Sequence, residues 1–230
     1  FGPVCLAQST SSATPNVLKT LPALPGDCSD QIDLNGLYCS SIVIKGSTLV
    51  VTFAGIASKD AFPTADILRD QYLDFGRWPE YVKKSPENVV TYKAGGSVAL
   101  PVTQTDDDRA QYGQFFDYDL IVQGFPNLRQ NVRGVTFNYL VESYAGALNS
   151  IEFEAQPGPV PNYPDKLKGM KSQTGSVHVL DCTTLAACDA SKWLVIFSTT
   201  IQPEISIALP VVGKTIKAGI EDILSGILEE

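Results

Sequence analysis

From Val89 to Phe197 the chain repeats one signature, short runs in which every second residue is large and apolar. Phe116, Tyr118, Leu120 and Val122 alternate with Asp117, Asp119 and Gln123. Val135, Phe137, Tyr139 and Val141 alternate with Thr136, Asn138 and Glu142. Ile151 and Phe153 flank Glu152, Val177 and Val179 flank His178, and Trp193, Val195 and Phe197 close the series. Side chains alternate across a strand, so each run reads as a strand with one apolar face. Turn residues separate the runs, which makes a long antiparallel meander. The period then changes. Leu209, Val212, Ile216, Ile220, Ile223 and Ile227 fall within an arc of about 80° on a helix, with Lys214, Lys217, Glu221 and Asp222 outside it. This helix, roughly Pro210 to Glu229, spans about 30 Å, enough to cross a sheet.

Ahead of the meander, Ser41 to Ala54 reads as strand, interrupted by a turn or bulge at Lys45-Gly46-Ser47. A helix follows from about Thr64 to Phe75, where Leu68, Tyr72 and Phe75 recur at helical spacing between Pro63 and Gly76. Pro79 opens a second short helix, which Ser85-Pro86 stops. Strands and helices are thus segregated along the chain, the signature of an α+β fold. At 44% hydrophobic residues in 230, there is enough apolar material for one large core.

A net charge of -8 argues against nucleic acid, whose phosphates need a basic surface. The longest apolar run, Leu49 to Ala57, is far short of the roughly 20 residues of a membrane-spanning helix. Cys5 and Ala7 stand three and one residues before a signal-peptidase cut preceding Gln8, so residues 1–7 read as the remnant of a signal peptide. Removing them leaves Cys28, Cys39, Cys182 and Cys188, an even number in two close pairs. Three connectivities are allowed, and the local one, Cys28–Cys39 with Cys182–Cys188, closes the shortest loops. Two disulfides imply a secreted or periplasmic protein. Residues 8–40 read as an N-terminal arm carrying the first pair, and residues 41–230 as a single domain.

The segment Leu68-Arg69-Asp70-Gln71-Tyr72-Leu73-Asp74-Phe75-Gly76-Arg77-Trp78-Pro79-Glu80-Tyr81, set in this order of elements, resembles the START / Bet v 1-like (SRPBCC) superfamily. Its bacterial relatives include polyketide cyclases and dehydrases. In such proteins a helix ending in Asp-Phe is followed by an aromatic-Pro step and a second aromatic. Asp74-Phe75 and Trp78-Pro79-Glu80-Tyr81 occupy those places. The resemblance implies a helix-grip fold, in which a curved antiparallel sheet wraps a long C-terminal helix and two short helices follow the first strand. It also implies an internal cavity for a lipid- or sterol-like molecule.

A curved sheet has a concave face that one helix does not fill, and Gly213, Gly219 and Gly226 thin that helix further. By strand phase the lining would be Phe116, Tyr118, Leu120, Phe137, Tyr139, Phe153, Trp193 and Phe197. Ile216, Ile220 and Ile223 would line it from the helix, and Tyr118 or Tyr139 would orient a ligand. Core packing is the ordinary role of aromatics at strand spacing. An enzyme in the same cavity would need Arg133, Tyr139 or His178 to converge there. A filled core would make the protein a structural or interaction module instead.

Catalytic signatures are absent from the sequence: no Gly-x-Ser-x-Gly elbow, no phosphate-binding glycine loop, and no Cys-x-x-Cys. With a lone histidine, neither a metal centre nor a cofactor is expected. His178, opposite Val177 and Val179, is placed on the convex, wetter face. Asp106-Asp107-Asp108 lacks the alternating oxygens of a calcium loop and reads as a solvated hairpin tip. Pro157 to Pro164, followed by Lys166, Lys168 and Lys171, reads as a stiff surface connection. Its functional alternatives are a lid at the cavity mouth or a transient contact with an anionic membrane surface.

Overall fold

The computed structural model describes residues 19–82, 90–98, 111–122, 129–140, 144–156, 167–204 and 208–229. For a few residues inside these elements, Phe137 and Tyr139 among them, the backbone alone is described. Residues 1–18, the triple-aspartate segment and the proline-rich stretch 157–164 lie outside the described residues.

Helix α1 (Cys28–Asn35) leads into strands β1 (Tyr38–Lys45) and β2 (Thr48–Ser58). Gly46 at φ 60° makes the tight turn between them, a backbone conformation that favours glycine. Two helices follow, α2 (Ala65–Leu73) and α3 (Trp78–Val82). Thr64 caps α2, its side chain accepting from the Ile67 amide at 3.3 Å. Six strands come next: β3 (Val90–Val98), β4 (Gln111–Ile121), β5 (Arg129–Leu140), β6 (Asn149–Gln156), β7 (Met170–Asp181) and β8 (Lys192–Pro203). The described chain ends in α4 (Leu209–Leu228).

The strands form one sheet in the order β1-β2-β8-β7-β6-β5-β4-β3, every pair antiparallel. After β2 the chain crosses by α2 and α3 to the far edge and winds back strand by strand until β8 closes beside β2. The sheet curls around α4, giving a helix-grip α+β architecture.

Its inner face carries the main core. Leu49, Val51 and Phe53 of β2, Phe116 and Leu120 of β4, Phe153 of β6, Val177 of β7 and Val195 of β8 meet α4 through Ile216, Ile223 and Ile227. Burying each such side chain contributes about 1.5–3 kcal/mol. The outer face is also covered at one end, where the sequence suggested a single apolar face. There Ile32 and Cys28 of α1 pack on Ala54, Ile56, Leu194 and Ile196, with Cys39 and Cys182. Both local disulfides are formed, Cys28–Cys39 and Cys182–Cys188, with Cα atoms 4.9 Å apart in each. Because β2 and β8 are covered on both sides here, Val51 to Ala57 is buried without alternation.

Two features of α4 differ from the expectation. Asp222, placed on its wet side by the sequence, is 4% exposed. Helix α3 packs on that flank one turn along, where Tyr81 stands against Gly226, while on another side Ser40 of β1 meets the Glu221 carboxylate, which Lys217 Nζ also meets at 2.6 Å. The glycines do not simply thin the helix. A Cβ on Gly213 would stand 2.9 Å from Ile42 Cδ1, and one on Gly226 would stand 2.8 Å from Tyr81 Cβ. Both let neighbours approach closely. Gly219 does the same, since a Cβ there would stand 2.9 Å from Val90 Cγ2, and it also borders a cavity beneath the helix.

Candidate functional site

Between α4 and the inner face lies a hollow of two lobes that share Trp78, Tyr118, Gln173 and Phe197. The outer lobe, about 60 Å³, is walled on the helix side by Ile216, Gly219, Ile220, Ile223 and Leu224. Its sheet side carries Val90, Leu120, Val132, Met170 and Ile201. The inner lobe, about 50 Å³, lies under α2 and is lined by Tyr72, Phe75, Phe116, Phe153 and Val177, with Thr136 and Asn138. None of these lining residues is charged.

Each lobe is smaller than the roughly 150 Å³ that accepts a benzene ring, so a larger occupant needs the walls to give. Met170, unbranched and adaptable, is the side chain best suited to yield.

Polar groups in and beside the inner lobe divide into satisfied and unsatisfied. Thr136 Oγ1 donates to the Gln114 carbonyl at 3.3 Å, and Gln173 Nε2 donates to Thr199 Oγ1 at 3.3 Å. Tyr72 Oη, Trp78 Nε1 and Tyr92 Oη are buried atoms without a hydrogen-bond partner among the described residues. Leaving one such donor unmade costs about 1–3 kcal/mol. The Tyr72 side chain is 2% exposed, and burial raises its phenol well above the ordinary tyrosine range, as it does for Tyr92 and Tyr118. All three rings therefore stay neutral and carry their protons at physiological pH. Phe75 lies 4.0 Å from Trp78, Trp78 is edge-on to Tyr92 at 6.1 Å, and Tyr92 stacks on Tyr118 at 5.6 Å.

The structure brings Phe116, Tyr118, Leu120, Phe153, Phe197, Ile216, Ile220 and Ile223 together around this hollow. Trp193 faces the same core but ends elsewhere, its Nε1 donating to the Phe62 carbonyl at 2.7 Å beneath the Lys59 ammonium. On β5 the positions bordering the hollow are Val132, Thr136 and Asn138, one residue out of step with Phe137 and Tyr139. The side chains of Phe137 and Tyr139 are outside what is described. Tyr72, Trp78 and Gln173 were not anticipated. Tyr72 was visible as the polar-tipped member of the α2 apolar stripe, and Trp78 as the aromatic before Pro79, but neither sits on a strand.

Arg133 and His178 stand on the outer face. The Arg133 guanidinium is 3.6 Å from Asp117, whose neighbour Asp119 meets Lys93 at 2.7 Å. His178 was expected in a wet place and is instead wholly buried beneath Tyr144, whose ring is 4.2 Å away. Its ring nitrogens lie 2.9 Å from Ser150 Oγ and 2.9 Å from Ser176 Oγ. In the neutral imidazole one nitrogen donates and the other accepts, so both are satisfied. Burial pushes its pKa down to about 4. Tyr144 is fixed by donating to Glu152 at 2.7 Å, and Lys19 pairs with the same carboxylate. An open polar groove of about 360 Å³ runs past this point, floored by Ser176, Ser198 and Thr200. Among the described residues no three His, Cys, Asp or Glu side chains come together as metal ligands.

No protein-family model and no curated protein matches the sequence. Solved structures do. TTHA0849 from Thermus thermophilus is similar over 78% of this chain and 94% of its own, at 14% identity and a TM-score of 0.48. A START superfamily protein from Mycobacterium smegmatis is similar over 84% and 96%, at 14% identity and 0.41. Human STARD10 is similar over 91% and 80%, at 9% identity and 0.41. Strand order and the position of α4 define the helix-grip architecture on their own.

Proposed function

We propose that the protein binds and sequesters a hydrophobic small molecule in the hollow between α4 and the curved sheet, acting as a carrier. The observation that carries this reading is the lining: apolar side chains from six strands and three helices converge on one uncharged space. Removing apolar surface from water at about 25 cal/mol per Å² would supply the affinity. Phe116, Tyr118, Leu120, Phe153, Phe197, Ile216, Ile220 and Ile223 would make the contacts. Trp193 would support the wall from behind. The two disulfides support a secreted or periplasmic setting, and no helix of the described residues is long and apolar enough to cross a membrane.

Native mass spectrometry of freshly purified protein, before and after solvent extraction, tests the proposal together with a titration of the emptied protein by butylbenzene. A retained extractable mass, or saturable uptake that Ile220→Trp abolishes, is the expected result. Bare polypeptide mass combined with no saturable uptake refutes it.

A further inference from the structure

We propose that the cavity selects an apolar molecule bearing one neutral hydrogen-bond acceptor, of the ketone or ester class. Tyr72 Oη and Trp78 Nε1 would hold that acceptor in the inner lobe, with the hydrocarbon in the outer lobe. This rests on the carrier reading and narrows it.

The division of the hollow carries the argument. The outer lobe presents aliphatic side chains from α4 and the sheet, whereas Tyr72, Thr136 and Asn138 belong to the inner one. In that inner lobe Thr136 is engaged by the Gln114 carbonyl and Asn138 has an interaction of its own. Two of the residues lining it, Tyr72 and Trp78, carry a polar atom, Oη and Nε1, that is buried without a partner among the described residues. Native interiors rarely leave buried donors unmatched, so an unmatched pair in one cavity points to an acceptor that completes them. Indole N–H donates only, and a phenol that keeps its proton donates as well. Two donors ask for an oxygen with two lone pairs, which a carbonyl provides. With no charged residue in the lining, a carboxylate or phosphate would lose its hydration without a counter-ion, so the acceptor is neutral.

Three probes of nearly one shape separate the possibilities: butyrophenone, butylbenzene and 4-phenylbutyrate. Each is titrated by two-dimensional NMR into the wild type, Tyr72→Phe and Trp78→Phe, after solvent extraction. The wild type should bind butyrophenone about twenty- to thirtyfold more tightly than butylbenzene, each of the two neutral hydrogen bonds supplying about a fivefold ratio. Tyr72→Phe, which exchanges an unmatched hydroxyl for hydrogen, should lower that ratio about fivefold, the two affinities being compared within the same variant. Trp78→Phe should lower the ratio in the same direction. Equal wild-type affinity for the two neutral probes, or a ratio that survives in both variants, overturns the inference and leaves the carrier reading standing. Tighter binding of 4-phenylbutyrate than of butyrophenone overturns the neutral assignment. Absence of binding by both neutral probes removes the carrier reading, and the inference falls with it.

Discussion

His178 allows one consequence of the fold to be measured cleanly, because it is the chain's single histidine. Its imidazole is wholly buried with both nitrogens bonded to serine hydroxyls, and its pKa falls from 6.5 to about 4. Burial is the main cause; Glu152 pulls the value up and Lys19 pushes it down, neither enough to cancel burial. In the unfolded chain the ring takes up a proton below about pH 6.5, while the folded chain refuses it until about pH 4. The unfolded state therefore holds more protons across that window, and stability falls as pH falls through it. At 1.36 kcal/mol per unit, the loss from this group between pH 6.5 and 4.5 comes to about 2 kcal/mol. Urea unfolding at half-unit pH steps measures it, with His178→Gln as the reference that removes the group and keeps the carboxylates. The wild-type minus variant difference should shrink by about 2 kcal/mol over the window. The imidazole resonance should stay that of the neutral ring from pH 8 to pH 5. A ring titrating near pH 6.5, or a difference flat with pH, would refute the reasoning.

The other expectations concern the scaffold. Replacing Cys28 and Cys39 together by serine frees a loop of separation 11 and should cost about 3 kcal/mol in chemical denaturation; a loss under 1 kcal/mol would mean the bridge constrains little. Trp193→Phe leaves the buried Phe62 carbonyl without its indole donor and should cost about 2–3 kcal/mol, and an effect within about 0.5 kcal/mol would show that water or rearrangement replaces it. Gly226→Ala drives a methyl against the Tyr81 backbone, its oxygen 3.0 Å away, and should cost about 1–3 kcal/mol, whereas helix propensity alone predicts a gain.

Element types were legible where one physical constraint dominated. The period-two runs at Phe116–Val122 and Trp193–Phe197 became β4 and β8, and the stripe from Leu209 to Ile227 became α4. Phase was harder. On β5, Thr136 and Asn138 turn to the hollow because their bonds to β4 and β6 fix the register, and apolarity alone assigns the neighbouring positions instead. The outer-face core was hidden because Cys28 and Ile32 come from a helix of weak amphipathicity, inside a stretch whose composition reads as an arm. Asp222 and His178 were misplaced for a shared reason: burial of a polar residue depends on what the rest of the chain lays over it. Helix α3 packs on the flank that carries the first, with Tyr81 against Gly226, and Tyr144 covers the second. Tyr72 and Trp78 look like plain core aromatics until the cavity beside them is known.

Strand β2 finds its neighbour β8 about 150 residues further along the chain, Leu49 opposite Ile201. A ribosome making this protein must therefore release most of it before the seam can be stitched. Until then the hairpin of β1 and β2 waits with one border unzipped, and the greasy side of the half-built sheet has no helix to shelter it. Such a nascent chain is a natural client for a holding chaperone, and it is exposed to sticking to its own kind.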